Sequence, residues 1–295
     1  MPHLHDDKIK FLEETANKIR QSIIEELVAA GSGHTAGPLG MADVFTALYF
    51  QILKHDPKNL EWEERDRLVL SNGHICPVQY AAMAHAGYFP VEELKTLRKF
   101  GTRLQGHPHR TNLPGLETTS GPLGSGLSQA VGMAIGFKMD GKPNQVYCLM
   151  SDAEQQAGNT WEAAMLVGKL RLDNLTALID RNNIQIDGMT EDIMPLEPLR
   201  EKYEAFNWHV LDVNGHSFQD INNAFETARA IYEKPVLIIA HTIPGKGIPE
   251  IEFDYRWHGN PPEKGPDKPF PKETQAKEML NRLRTLGGKI TSEHQ

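Results

Sequence analysis

Apolar side chains recur at helical spacing near the start of the chain. Leu12, Ala16, Ile19, Ile23 and Leu27 form one stripe, and Gly31 follows where a C-cap belongs. Residues 41–53 predict a second helix, broken by His55-Asp56-Pro57, and residues 66–70 lead into the loop that carries His74. Two later runs follow a different pattern. Val146-Tyr147-Cys148-Leu149-Met150 and Leu175-Thr176-Ala177-Leu178-Ile179 are short and apolar or β-branched, as buried strands are, and residues 160–170 between them read as a helix. A strand, helix, strand unit of this length requires a right-handed crossover, so both strands end on the same edge of a parallel sheet. Residues 210–213 and 235–240 flank a helix at 217–232 and extend that sheet by two strands. The predicted fold class is α/β, a parallel sheet sandwiched by helices.

Residues 259–271 are rich in proline and extended, and 273–286 form a short helix that Gly287-Gly288 ends. The expected division is a ligand-binding domain at 1–270, followed by a C-terminal helix and mobile polar tail at 271–295. No internal repeat or low-complexity tract interrupts it.

The two predicted strand exits carry the chemistry. Ser151-Asp152-Ala153-Glu154 and Asp180-Arg181-Asn182-Asn183-Ile184 place a carboxylate, an amide oxygen and a backbone carbonyl at the edge where open α/β sheets bind ligands. That is an incomplete shell for Mg²⁺ or Ca²⁺, with diphosphate oxygens and water to complete it. The same residues also suit plain structural work, Asp152 as a helix cap and Asn182 as a turn residue. Gly121-Pro122-Leu123-Gly124-Ser125-Gly126 runs straight into a small-residue helix, an arrangement that can cradle phosphate with free N–H groups. It lacks the Gly-Lys-Ser/Thr of a Walker loop, and a tight turn packed closely through Gly132 and Gly136 explains it equally well. His34, His74, His107 and His258 each sit in a glycine-containing turn, where rigid scaffolds present binding groups. No pair has close metal-ligand spacing, and Cys76 and Cys148 lie far apart.

Composition narrows the classes. A net charge of −8 argues against nucleic acid as a partner. No long apolar stretch predicts a membrane span, and the polar N-terminus does not read as a signal peptide. Two cysteines without scaffold spacing suit a reducing, cytoplasmic location.

From about Lys18 to Pro261 the motifs resemble those of transketolase, in its thiamine-diphosphate-binding N-terminal half. They are Ser32-Gly33-His34, Leu70-Ser71-Asn72-Gly73-His74, Gly106-His107-Pro108, Glu117 through Gly124, Ser151-Asp152-Ala153 with Asn182 through Gly188, and Trp257-His258-Gly259. The resemblance implies the diphosphate-domain fold, with thiamine diphosphate and Mg²⁺ (or Ca²⁺) as cofactors. It implies Asp152, Asn182 and the Ile184 carbonyl as metal ligands. Gly121, Pro122, Leu123, Gly124, His74, Ala153, Glu154, Lys246 and His258 would lie at the cofactor, and His34, His107 and His258 would be the catalytic histidines of the sugar channel. The implied reaction moves a two-carbon ketol unit from a ketose phosphate to an aldose, with histidines handling protons near neutral pH.

Two positions depart from the family. It carries Gly-Asp-Gly where this chain has Ser151-Asp152-Ala153, and a glutamate of an inter-site carboxylate network where this chain has Ala157. Ala153 adds a methyl group where backbone approaches phosphate, which is costly if the position needs positive φ. Communication between sites would weaken or reroute through Glu154. At 295 residues the chain is also roughly half a full transketolase, so the expectation is a split enzyme. A pyrimidine-domain partner subunit would complete each site in an α2β2 assembly acting on sugar phosphates, docked against residues 127–139 and 160–170. The rivals are a subunit like 1-deoxyxylulose-5-phosphate synthase, a split 2-oxo-acid dehydrogenase, and a catalytically impaired scaffold.

Overall fold

The first helix is α1 (Asp6–Ala30) in the computed structural model, which describes residues 3–285. Its predicted stripe is wholly buried, and Gly31, at φ +62°, donates its N–H to the carbonyls of Leu27 and Val28. Next come α2 (Ala36–Gly40) and α3 (Ala42–Ala47). The single helix expected at 41–53 is not continuous, because α3 widens into a π-helical turn at Leu48–Ile52 that keeps Leu48, Tyr49 and Ile52 against the core.

The remaining order is β1 (Arg67–Leu70), α4 (Cys76–His85), α5 (Ser125–Met139), β2 (Val146–Ser151), α6 (Gly158–Leu170) and β3 (Leu175–Arg181). A small antiparallel hairpin, β4 (Ile184–Gln185) with β5 (Gly188–Met189), follows, then α7 (Thr190–Ile193) and α8 (Leu199–Ala205). The chain continues with β6 (His209–Asn214), α9 (Phe218–Ala230), β7 (Val236–His241) and α10 (Gln275–Thr285). The Gly287-Gly288 stop and the polar tail expected after it lie outside the described residues.

Five strands form one parallel sheet in the order β1-β2-β3-β7-β6. β1 is the addition to what periodicity predicted, since four residues are too few to show a pattern. Alternate side chains enter two cores, as a sheet covered on both faces requires. Leu70, Leu149, Leu178 and Ile238 meet α1, α3, α4 and α9 on one side, while Val69, Cys148, Ile179 and Ile239 meet α5, α6 and α8 on the other. Each fully buried aliphatic contributes roughly 1.5–3 kcal/mol. The helix α10 docks on α1, where Asn17 Nδ2 donates to the Leu283 carbonyl at 3.0 Å. Among the described residues no helix is long and apolar enough to cross a membrane.

One buried group opposes the fold. Glu26, on α1, is fully buried with no hydrogen-bond partner on either carboxylate oxygen, and desolvation holds its pKa well above the usual value. The unfolded chain releases this proton at a lower pH than the folded protein does, so its cost grows as pH rises above the ordinary carboxylate range. Glu26→Met should therefore stabilise the protein by about 1–3 kcal/mol at pH 7.5 and by less at pH 4.5. Urea denaturation at the two pH values measures this, and a gain that does not depend on pH would contradict it.

Candidate cofactor site

Parallel pairing in register brings the two strand exits together. Ser151 lies opposite Asp180, and the Asp152 N–H still reaches the Asp180 carbonyl at 3.2 Å. The Asp152 carboxylate is wholly buried. Its Oδ1 accepts from Ala153 N at 2.6 Å, and its Oδ2 accepts from Asn183 N at 2.8 Å and Arg181 Nη1 at 3.0 Å. Asn182 donates Nδ2 to Asp180 Oδ2 at 2.7 Å, while its Oδ1 accepts from Ile184 N at 3.0 Å. Asp152 thus caps the 3₁₀ turn at Ala153–Gln156 and Asn182 holds the next turn, so the structural roles and the hard-oxygen donor set reside in the same residues. Burial, then the Asp152 charge, pushes the Asp180 carboxyl up to about 7. Ala153 is not among the non-glycine residues at positive φ, so its methyl group causes no backbone strain.

The glycine loop is held from beneath. Gly124 has φ +83°, and a Cβ there would stand 2.1 Å from Asn159 Oδ1, so only glycine fits. Glu154, almost fully buried, accepts from Ser71 Oγ and Gly124 N through Oε1 and from Ser151 N through Oε2 at 3.2 Å. One carboxylate therefore ties the exits of β1 and β2 to the loop that starts α5. It does not line the cavity above.

That cavity, about 320 Å³, is lined by His34, His74, His107, His258, Gly121, Leu123, Ala153, Asn182 and Ile184 among the predicted residues, and also by Ser151, Gln156, Gln185 and Ile186. Pro122, Gly124, Asp152, Glu154 and Lys246 do not line it. Lys246 is buried near His216, in the turn after β7 where Gly245 N donates to the Ala36 carbonyl at 2.9 Å. The histidines arrive from four separate loops. His34 follows the cap of α1, and His74 follows β1. His107 lies in the long loop before α5, and His258 follows the 3₁₀ turn anchored by buried Trp257. Ring centroids are 4.8 Å apart for His34 and His74, 5.2 Å for His74 and His258, and 5.4 Å for His34 and His258.

Desolvation, with mutual repulsion added, lowers His34 to about 3, and desolvation lowers His258 to about 4. His74 is well below the free-imidazole range and His107 is lowered, each chiefly by burial. All four are neutral near pH 7, able to donate through one ring nitrogen and accept through the other. His34 Nδ1 and His258 Nδ1 are buried without a partner, and the space above Gly121 is open to 3.9 Å. These unmet groups and the adjoining oxygen donors suit a polar, phosphate-bearing ligand with a hard cation.

A second cavity, about 610 Å³, shares His107 and is lined by Ser32, Arg98, Lys99, Thr102, Gln105 and Gly106. Arg98 holds φ +58° while its guanidinium reaches Ser32 Oγ and the Gly106 carbonyl. Sequence pattern did not single out Arg98 and Lys99, which lie just before the loop rich in glycine and histidine. The basic pair beside a glycine was the available signal.

Residues 12–267 match the family model described as "Transketolase, thiamine diphosphate binding domain". A 6-deoxy-6-sulfo-D-fructose transketolase subunit of Clostridium sp. (strain MSTE9) is 48% identical over 80% of this chain and 86% of its own. An apulose-4-phosphate transketolase subunit of Phocaeicola vulgatus is 41% identical over 86% of this chain and 90% of its own. A solved transketolase variant from Pichia stipitis superimposes with a TM-score of 0.85 at 30% identity, covering 92% of this chain and 40% of that one. The chain belongs to the transketolase thiamine-diphosphate-binding domain family, and it spans less than half the length of that solved enzyme.

The neutral histidines make the ligand-free protein acid-sensitive. Between the free value of 6.5 and the folded values near 3 to 4, the unfolded chain binds more protons, so stability is complete above this window and is lost as pH falls through it. Each imidazole accounts for up to about 2 kcal/mol between pH 7 and pH 5. The His34→Asn/His258→Asn variant should lose less stability than the parent over that range in chemical denaturation. Equal losses would refute the assignment.

Proposed function

We propose that this chain is the diphosphate-binding subunit of a two-subunit transketolase, which transfers a two-carbon ketol group from a ketose phosphate to an aldose or aldose phosphate. One observation carries the reading: four histidines, the glycine loop and the residues at the β3 exit face a single cavity at the carboxyl edge of the sheet. At its edge, Asp152, Asn182 and the Ile184 carbonyl would hold Mg²⁺ or Ca²⁺, while Gly121 to Gly124, Ala153 and His74 would lie along the diphosphate. Thiamine diphosphate, when bound, supplies the nucleophilic carbon that carries the two-carbon unit. His34, His107 and His258 would accept and return protons at their ring nitrogens, a task that neutral imidazoles suit, and the buried Nδ1 atoms of His34 and His258 are kept from competing water.

The names of the relatives support a sugar with an acidic substituent, sulfonate in one and phosphate in the other. Arg98 and Lys99 offer it positive charge locally, where a chain of net charge −8 would otherwise repel it. Relatives called transketolase subunits imply a partner subunit. We assign that partner the pyrimidine-binding domain in an α2β2 assembly, with the exposed Met165, Leu166 and Leu170 of α6 and Met139 of α5 as docking surface. A cytoplasmic location belongs to the same reading, with Cys76 and Cys148 buried as free thiols. The relatives do not favour the 1-deoxyxylulose-5-phosphate-synthase-like, 2-oxo-acid dehydrogenase or scaffold alternatives.

The purified chain with thiamine diphosphate, Mg²⁺, a ketose phosphate and an aldose should show no turnover until a pyrimidine-domain partner is added, and robust activity alone would overturn the two-subunit reading. In the reconstituted enzyme, Arg98→Leu should raise KM for a phosphorylated or sulfonated sugar about tenfold and leave cofactor affinity as it was. An unchanged KM would remove Arg98 from the sugar site.

A further inference from the structure

Arg181 has a position that none of the chemistry above uses. Its side chain is only 4% exposed, yet its guanidinium reaches three carboxylates. Nη1 donates to Asp152 Oδ2 at 3.0 Å, and Nη2 donates to Glu191 Oε1 at 2.7 Å and Glu197 Oε1 at 2.9 Å. Glu191 then accepts the N–H groups of Leu196 at 3.2 Å and Glu197 at 3.4 Å, and Glu197 accepts the N–H of Leu199, which opens α8, at 2.8 Å. Gln156, on the cavity wall, donates to the Met194 carbonyl at 2.8 Å. The span from α7 to the start of α8 forms no strand pairing, and its exposed Ile193 and Met194 bury little. Buried Thr190, whose N–H donates to the Asn183 carbonyl at 2.9 Å, and buried Leu196 also anchor this span, and the one buried cation adds the charged tie between its carboxylates and the strand exit.

We propose that Arg181 is a positioning residue that preforms the cofactor edge, closing residues 190–199 onto the β3 exit and aiming Asp152 before any ligand arrives. The inference rests on the reading of Asp152 as a metal ligand given above. Arg181, the Asn183 N–H and Thr190 Oγ1 crowd Oδ2, whereas Oδ1 accepts only from Ala153 N at 2.6 Å, so Oδ1 is the less engaged oxygen and the one that a cation would take. Pairs with carboxylates as exposed as Glu191 and Glu197, at 37% and 58%, are individually weak. Sharing one immobilised guanidinium makes them act together, because the ordering entropy of that group is lost once for all three contacts. A site formed in advance binds its ligand without the reduction in affinity that a rarely populated competent state imposes.

The test compares the parent, Glu191→Gln/Glu197→Gln, Arg181→Lys and Arg181→Met, as the purified chain and in the reconstituted complex. Limited proteolysis without ligand should cut the double variant between residues 186 and 198 about tenfold faster than the parent, since opening is local. Its dissociation constant for thiamine diphosphate with Mg²⁺ should rise about tenfold. The observed association rate should level off with ligand concentration in the double variant while remaining linear in the parent. Arg181→Lys, a point charge that reaches fewer carboxylates, should fall between them. Parent-like cleavage and binding in the double variant would overturn the proposal, and this arm stands even if Arg181→Met does not fold. A parent that binds no thiamine diphosphate while the proteolysis contrast persists would reject the cofactor reading and leave the role of Arg181 intact.

Discussion

Everything at the site depends on two parallel strands that end in register. With Ser151 opposite Asp180, the backbone ladder delivers Asp152 and the Asn182 turn to one spot, at a depth where water cannot compete for their oxygens. A shift of one residue would turn the alternating side chains of β2 and β3 to the wrong cores, so hydrophobic burial on both faces enforces the chemistry at the edge. Glu154 extends this control sideways. By accepting from Ser71, Gly124 and Ser151 it makes the glycine loop part of the same rigid edge.

The electrostatics follow from burial more than from charge. Four histidines in and around one cavity would repel each other if protonated, and desolvation already disfavours their cationic forms, so the folded protein keeps them neutral. Acidic groups nearby are pushed the other way, as Asp152, Glu154 and Asp180 each hold protons more tightly than free carboxylates do. Such a site holds unused hydrogen-bonding capacity at low net charge, and an ionic ligand can organise it.

The two alanines differ in consequence. Ala153 occupies ordinary helical-turn backbone facing the cavity, so its effect is confined to one methyl group. Ala157 contributes only a small side chain beneath Gly124, and the nearby Glu154 is committed inward to the loop it braces. In the folded chain Glu154 stands as an anchor for the glycine loop.

Local pattern was enough for α1 with its cap, for β2, β3, β6 and β7, and for the pairing of Asp152 with Asn182, because helical and strand periodicities and the handed crossover operate over short stretches. The same logic could not show β1, whose four residues are too few, or the π-helical turn after α3, which tertiary packing imposes on an otherwise regular helical run. Nor could it tell which polar residues face the cavity and which face the core. Glu154 meets Ser71 across 83 residues of chain, Lys246 turns behind the site, and Arg181 gathers carboxylates from separate segments. Partners so distant in sequence are chosen only when the layers pack, since the cost of burying a charge is settled by whichever groups the completed fold places around it.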